Sequence, residues 1–418
     1  MNLLIKSATI VDQNSKYNGK KVDILIEKGI ISSIKSQIQN SHNYKEFNRD
    51  NLHVSLGWFD SSVSFGEPGY EERETLENGL KTAAFSGFTD IILNPNTNPV
   101  IDSATDINFI NTSTANHAVN VHPLGSLTKS AKGIDLAEMY DMKKSGAVGF
   151  YDYKKSIENA NLVKIAIQYS QTCNTLVCVF SEDEKIAGTG VANEAASSTH
   201  LGLKGIPALA EEIQVGRNIY LTEYTKGKLH LPTISTQEAV TQIKNAKKKG
   251  IDISCSVAIH NLFLDDSLLA EFDGNLRVSP PLRTKDNNKA LIKAVKEGAI
   301  DMVTSDHNPI DIEDKKVAFE HAKNGTIGLE SAFGALNMLF GFNIAITLLT
   351  KGRERFGIET PSLEIGSTAN LSLFNPDGAY IFNEDNIYST SKNSAFIGHE
   401  LKGTVYGIVS NNKLVQNK

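Results

Sequence analysis

The side chains of this chain best suited to chemistry are carboxylates and hydroxyls, with few imidazoles beside them. Asp306 and His307 are adjacent in Thr304-Ser305-Asp306-His307-Asn308-Pro309, and Asp152 closes the run Gly149-Phe150-Tyr151-Asp152. Ser62 and Ser64 alternate after Asp60 in the stretch Gly57–Glu74, Ser181 precedes Glu182-Asp183-Glu184, and Thr233 follows His230-Leu231-Pro232. Neutral hydroxyls are poor zinc ligands, and two carboxylates alone make a hard, water-rich site better suited to magnesium. Asn96, set between Pro95 and Pro99, reads equally as a pocket amide or a turn residue. The three cysteines, Cys173, Cys178 and Cys255, form no Cys-x-x-Cys pair. They offer neither a thiolate zinc site nor a disulfide framework, and they suit a reducing cytoplasm.

The elements that must position these groups fall into two kinds. From residue 1 to about 56 the chain reads as short strands and turns: Leu3–Val11 alternates, Asn18-Gly19 signals a hairpin, and Val22–Ile26 and Ile30–Ile34 flank Lys28-Gly29. The C-terminal part behaves likewise, with Ala369–Phe374, Gly403–Val409 and Lys413–Val415 separated by Asn375-Pro376-Asp377-Gly378 and Ser410-Asn411-Asn412. Each end is too small to bury a core alone, so the two are expected to pair into one small β-sandwich, residues 1–56 with 360–418. Between them, over 57–359, strand-like runs such as Thr89–Leu93, Val119–Leu124, Thr175–Phe180 and Asp252–Val257 alternate with helical stretches such as Glu74–Ser86, Ile206–Asn218, Thr236–Lys249 and Lys285–Glu297. That alternation predicts a (β/α)₈ barrel whose functional residues lie just past the strand ends.

Composition excludes several function classes. With 40% hydrophobic and 22% charged residues in 418, disorder and membrane spanning are not expected. A formal net charge of −6 argues against a nucleic-acid surface, and the one short basic run, Lys247-Lys248-Lys249, sits where it complements a helix C-terminus. The start, MNLLIKSATIVD, alternates like a strand and lacks the form of a signal peptide.

Several short motifs fall in a familiar order. Asp60, Glu67, Pro68 and Gly69 fit the frame Asp-x-His-x-His-x-Arg-Glu-Pro-Gly, and Gly87-Phe88-Thr89 and Asn94-Pro95-Asn96-Thr97-Asn98-Pro99 follow it. Then come Gly205-Ile206-Pro207, Ser235-Thr236, Pro280-Pro281-Leu282-Arg283, Thr304–Pro309 and Gly325–Glu330. In these residues the chain resembles dihydroorotases, cyclic-amide hydrolases of the amidohydrolase superfamily, over nearly its whole length. The resemblance implies the barrel and terminal β-domain already expected.

It also implies a site built on one or two zinc ions, whose hydroxide opens the amide while an aspartate moves the proton. Each ligand place can be read here. Ser62 and Ser64 stand where a His-x-His pair is expected, Ser181 and Thr233 where single histidines are, and Tyr153 fills one of two adjacent aspartate places beside Asp152. Asp306, the proton shuttle, is kept; Gly66 replaces the arginine that would grip a substrate carboxylate, and Ser279 replaces an asparagine. Asn96 and His307 remain as substrate-pocket relicts. His230 and His260 are not expected to substitute, since strand alternation turns His230 away from Thr233 and His260 resembles a family histidine that is not a ligand. Arg283 and Glu330 read as structural ion-pairing or capping groups.

No cofactor is therefore expected, and the reading is a non-catalytic dihydroorotase homologue in the cytoplasm. Members of this kind are structural partners of aspartate transcarbamoylase, and related barrels often form homodimers. The alternative is an active dihydroorotase, or another cyclic-amide hydrolase, with zinc held by atypical ligands.

Overall fold

The computed structural model describes residues 1–417. The N-terminal strands are β1 (Leu3–Ile10), β2 (Lys21–Glu27), β3 (Ile30–Lys35), β4 (Lys45–Phe47) and β5 (His53–Leu56). Then come β6 (Trp58–Val63), β7 (Phe88–Leu93), β8 (Asn120–Gly125), β9 (Gly149–Tyr151) and β10 (Leu176–Cys178). A short parallel pair, β11 (Ala192–Asn193) and β12 (Gly205–Ile206), precedes β13 (Leu229–Leu231), β14 (Ile253–Ala258) and β15 (Met302–Thr304). The chain closes with β16 (Leu371–Ile381), β17 (Glu400–Ser410) and β18 (Lys413–Gln416).

The predicted barrel is present. Strands β6, β7, β8, β9, β10, β13, β14 and β15 are successive neighbours in one eight-stranded parallel sheet. A bridge between Val63 and His307, with the Ser64 amide donating to the His307 carbonyl at 2.7 Å, brings the last strand back to the first. Asp60 reinforces that closure: it accepts from the Ser62 amide at 3.0 Å, the Ser305 amide at 2.9 Å and the Thr304 hydroxyl. Parallel strands covered by helices are apolar on both faces, which is why β6, β7 and β14 are buried along their whole length. Inside the barrel Phe59, Ile92, Leu124 and Met302 pack together, while Ile91, Leu93, Val177 and Val257 face the surrounding helices.

The chain ends pair with each other, as their short alternating runs require. Their ladder is continuous in the order β18-β17-β16-β5-β1-β2-β3, with β4 also beside β1. Asn375-Pro376-Asp377-Gly378, expected to break the chain, instead forms an irregularity inside β16, because the flanking residues keep pairing with β17.

Local signals set the helix starts that frame the barrel mouth. The helix Leu76–Phe85 is capped by Thr75, whose hydroxyl accepts from the Asn78 amide at 3.2 Å, and by Glu67, which accepts from the Leu76 amide at 2.8 Å. Glu211 accepts from the Ser235 and Thr236 amides at 2.8 and 2.9 Å and so anchors the start of Gln237–Lys248.

Candidate functional site

At the C-terminal mouth of the barrel three loops converge on one ammonium group. Lys154, three residues past β9, donates from Nζ to Asp306 Oδ2 at 2.9 Å, to Thr233 Oγ1 at 3.1 Å and to the Ser279 carbonyl. The side chains of Lys154 and Asp306 are only 14% and 5% exposed. Lys154, Thr233 and Asp306 all have left-handed backbones, with φ of 54°, 49° and 50°. That conformation is uncommon outside glycine and an outlier for a β-branched threonine, and such strain concentrates at sites the surrounding fold over-determines.

A hydroxyl and amide layer lies beneath this ion pair. Ser62 Oγ donates to Asp306 Oδ1 at 3.1 Å, and Asn94 Nδ2 donates to Ser62 Oγ and Ser64 Oγ, both at 3.1 Å. Burial pushes the Asp306 carboxyl above its ordinary range, opposed by the Lys154 charge and by hydrogen bonds from Lys154, Ser62 and Tyr153.

The structure brings together Ser62, Ser64, Thr233, Ser279 and Asp306, but not every predicted residue. Asp152 is turned into the loop after β8, where it accepts from Ser126 Oγ at 2.7 Å, from the Leu127 and Thr128 amides at 2.9 and 3.0 Å, and from the Thr128 hydroxyl. Its oxygens are thus engaged away from Asp306. Ser181 Oγ accepts from Asn218 Nδ2 at 3.2 Å and is tied to the helix Ala208–Thr225. His307 Nδ1 accepts from the Gly328 and Leu329 amides at 3.2 and 3.4 Å, and burial lowers its pKa to about 3, so it is a neutral strut.

His230 differs from expectation. It points into the barrel interior below the mouth, with Nδ1 2.9 Å from Ser254 Oγ and Nε2 3.3 Å from Ser256 Oγ, against the ring of Phe356. The alternation argument assumed a strand through Thr233, whereas β13 ends at Leu231 and the turn after it sets Thr233 independently. Arg283 and Glu330 are structural groups. Arg283 binds Ser235 Oγ and Asn193 Oδ1 at 3.0 and 2.9 Å, and Glu330 accepts from the Ser389 amide and hydroxyl at 3.0 and 2.6 Å.

Sequence reasoning missed Lys154, and it weighed His260 only as a histidine that is not a ligand. Lys154 carried one signal, a cation two residues past Asp152 on a strand-end loop. His260 is buried beside Lys154, Ser279 and Asp306 in a cavity of about 170 Å³, and neither ring nitrogen has a protein partner. Burial lowers its pKa to about 3, so it faces this cavity uncharged.

These donors do not fit a catalytic zinc. Among the described residues no three histidines, cysteines or carboxylates come together as a metal-ligand group. Two carboxylates, Glu182 and Asp306, line the mouth cavity, and Asp306 is already paired with an ammonium. Gly66, expected to stand in an arginine place, sits in a crowded turn. A Cβ on Gly66 would fall 1.8 Å from the Tyr70 carbonyl, because Gly66 and Tyr70 close a tight turn in which the Tyr70 amide donates to Gly66 O at 2.9 Å. An arginine cannot stand there without moving that turn.

An eight-stranded parallel barrel with a terminal sheet is the architecture of the amidohydrolase superfamily. Its fold matches an L-hydantoinase (dihydropyrimidinase) from Arthrobacter aurescens with TM-score 0.84 at 20% identity, over 100% of this chain and 96% of that one. A dihydropyrimidinase from Brevibacillus agri matches with TM-score 0.83 at 22% identity, over 100% and 95%. The dihydro-orotase-like family model matches residues 53–239. A dihydroorotase of Acetivibrio thermocellus is 36% identical over 100% of this chain and 99% of its own length, and one of Geobacter metallireducens is 33% identical over the whole of both. The chain belongs to the dihydroorotase family.

Proposed function

We propose that this chain is a dihydroorotase-family protein of pyrimidine biosynthesis that holds no catalytic metal, does not turn over dihydroorotate, and serves as a structural or regulatory partner of aspartate transcarbamoylase. The observation that carries this reading is the Lys154 ammonium, 2.9 Å from Asp306 and 3.1 Å from Thr233. It places a fixed positive charge against the retained proton-shuttle aspartate and a lost histidine place, where a divalent ion would be repelled. Without a metal, an attacking water keeps a pKa near 15.7, and Asp306 in an ion pair is a relict that cannot supply the missing activation. Asn96 and His307 are relicts of a substrate pocket on this reading.

A partner surface is also supported. On the helix Ala208–Thr225, Leu209, Ile213, Tyr220 and Tyr224 are exposed, the two tyrosines 73% each, and the adjacent helix Ala160–Thr172 exposes Ile165 and Tyr169. Large exposed apolar groups gathered on neighbouring helices mark protein contact surfaces.

The test is to mix the purified chain with the aspartate transcarbamoylase of its own organism and follow mass by sedimentation. A joint species that is lost on Tyr220→Glu with Tyr224→Glu supports the partnership; two independent species reject it.

A second reading, an active dihydroorotase or other cyclic-amide hydrolase with atypical ligation, is favoured by full-length likeness to relatives named dihydroorotase. Near-stoichiometric zinc together with hydrolysis of dihydroorotate to N-carbamoyl-aspartate would establish it.

A further inference from the structure

We infer that a cleft between the barrel helices and the terminal sheet binds a small organic ammonium ion. The cleft, of about 340 Å³, is lined by Phe85, Phe333, Tyr380, Tyr388 and Glu330 among others. It lies where the helices Leu76–Phe85 and Leu329–Phe340 meet β16 and β17, and it shares no lining residue with the cavity at the barrel mouth. It does not depend on the partnership proposed above.

A break in the sheet builds this cleft. Strand β16 leaves its ladder with β17 between Asn375, opposite Thr404, and Ala379, opposite Lys402, so Pro376, Asp377 and Gly378 stand against the single residue Gly403. Two asparagines fix the shape. Asn337 donates from Nδ2 to the Pro376 and Lys402 carbonyls at 2.8 and 2.9 Å, and Asn417 donates from Nδ2 to the Phe85 and Val405 carbonyls at 2.9 and 2.8 Å. Gly403, at φ 95°, lets the strand approach where a Cβ would fall 2.7 Å from the Phe333 ring, while the Cβ position of Gly378 has no atom within 4 Å. One wall is therefore closed and held, and the other is open. Ladder irregularities of this kind gather beside functional sites.

Four aromatic rings and one carboxyl group define the ligand. Among the described lining residues Glu330 is the only charged one, so an anion finds no counter-charge here. Aromatic faces attract ammonium groups, most strongly where water is excluded. Lys81 Nζ already lies 5.5 Å from the Phe85 ring centroid, and Tyr388 packs edge-to-face on Phe85 at 4.9 Å. Tyr380 and Tyr388 hold no cation of the protein's own among the described residues. Burial pushes the Tyr380 phenol up to about 12 and raises that of Tyr388, so both rings are uncharged near neutrality. Glu330 is tied to Ser389, and its charge acts on the cleft through space. Burial raises the Glu330 carboxyl against the Ser389 hydrogen bonds, and a cation in the cleft favours its ionised form. An alkylated ammonium serves the rings and the Val405 side chain alike.

Calorimetric titration of the full chain with choline chloride and, separately, with its uncharged isostere neohexyl alcohol, at constant ionic strength, tests this. Choline should bind with a dissociation constant below about 10 mM, and the alcohol about tenfold or more weakly. Tyr388 is 41% exposed, and Tyr388→Leu keeps an apolar group without a ring. That variant should bind choline about fivefold more weakly with the melting temperature unchanged, whereas Tyr380→Phe, which keeps its ring, should bind it as the parent chain does. No choline binding, equal binding of the two compounds, or full choline affinity in Tyr388→Leu overturns the inference. Loss of binding in Tyr380→Phe overturns it as well, since recognition would then rest on a hydroxyl.

Discussion

Lys154 Nζ and Asp306 Oδ2 are 2.9 Å apart at the centre of the barrel mouth, although they come from loops 152 residues apart in sequence. This ion pair joins the fourth and eighth strand ends, and through Thr233 the sixth, so one side chain ties together much of the rim.

Removing one partner should be destabilising. Lys154→Met leaves the buried Asp306 without its cation, and the loss should be roughly 3–5 kcal/mol in urea unfolding. The double variant Lys154→Met with Asp306→Asn should recover most of it. Equal losses in the single and double variants would show that the pair is not coupled.

Metal uptake should remain poor while the ammonium is present. Elemental analysis of protein equilibrated with zinc and then desalted should find far less than one equivalent. Restoring Ser62→His, Ser64→His, Ser181→His and Thr233→His should raise zinc uptake more when Lys154→Ala is added than when Lys154 is kept. If Lys154 makes no difference, the ammonium is not what opposes the metal.

Gly66 should not accept the family arginine. The Cβ position lies 1.8 Å from the Tyr70 carbonyl, so Gly66→Arg should lower stability by about 2 kcal/mol or more and should not introduce substrate binding. An unchanged melting temperature would show that the turn relaxes freely.

Acid sensitivity should begin below neutrality. His230, His260 and His307 are each held near a pKa of about 3 by burial, against an ordinary value of 6.5. Between those values the unfolded chain binds protons that the folded chain does not, so stability falls as pH falls from 6.5. Each histidine contributes up to about 1.4 kcal/mol per pH unit, visible as a urea midpoint that drops from pH 7 to pH 5. His260→Gln should flatten that slope, and an unchanged slope would mean that His260 is protonated in the fold.

Much of the architecture was legible in the chain because it rests on short-range pattern. The alternation of apolar runs with amphipathic helices was enough for the barrel, and Asn18-Gly19 and the C-terminal short strands for the terminal sheet. Ser62, Ser64, Thr233 and Asp306 were recognisable by their order and frame, and they do meet at the mouth. Two features required the assembled fold. Asp152 looked like a second mouth carboxylate, but the direction of a side chain beyond a strand end depends on the loop, and here the Ser126–Thr128 donors claim it. His230 faces inward by alternation within β13, opposite to Leu229 and Leu231, while Thr233 lies beyond the strand end, where alternation no longer sets direction.

That Ser62, Ser64, Ser181 and Thr233 carry hydroxyls and no imidazole was determined by sequence alone, since it holds in any conformation. What those hydroxyls meet was decided only by tertiary structure. A lysine on one loop becomes the counter-charge of an aspartate on another only when the barrel closes and brings strand ends far apart in sequence within reach of one ammonium group.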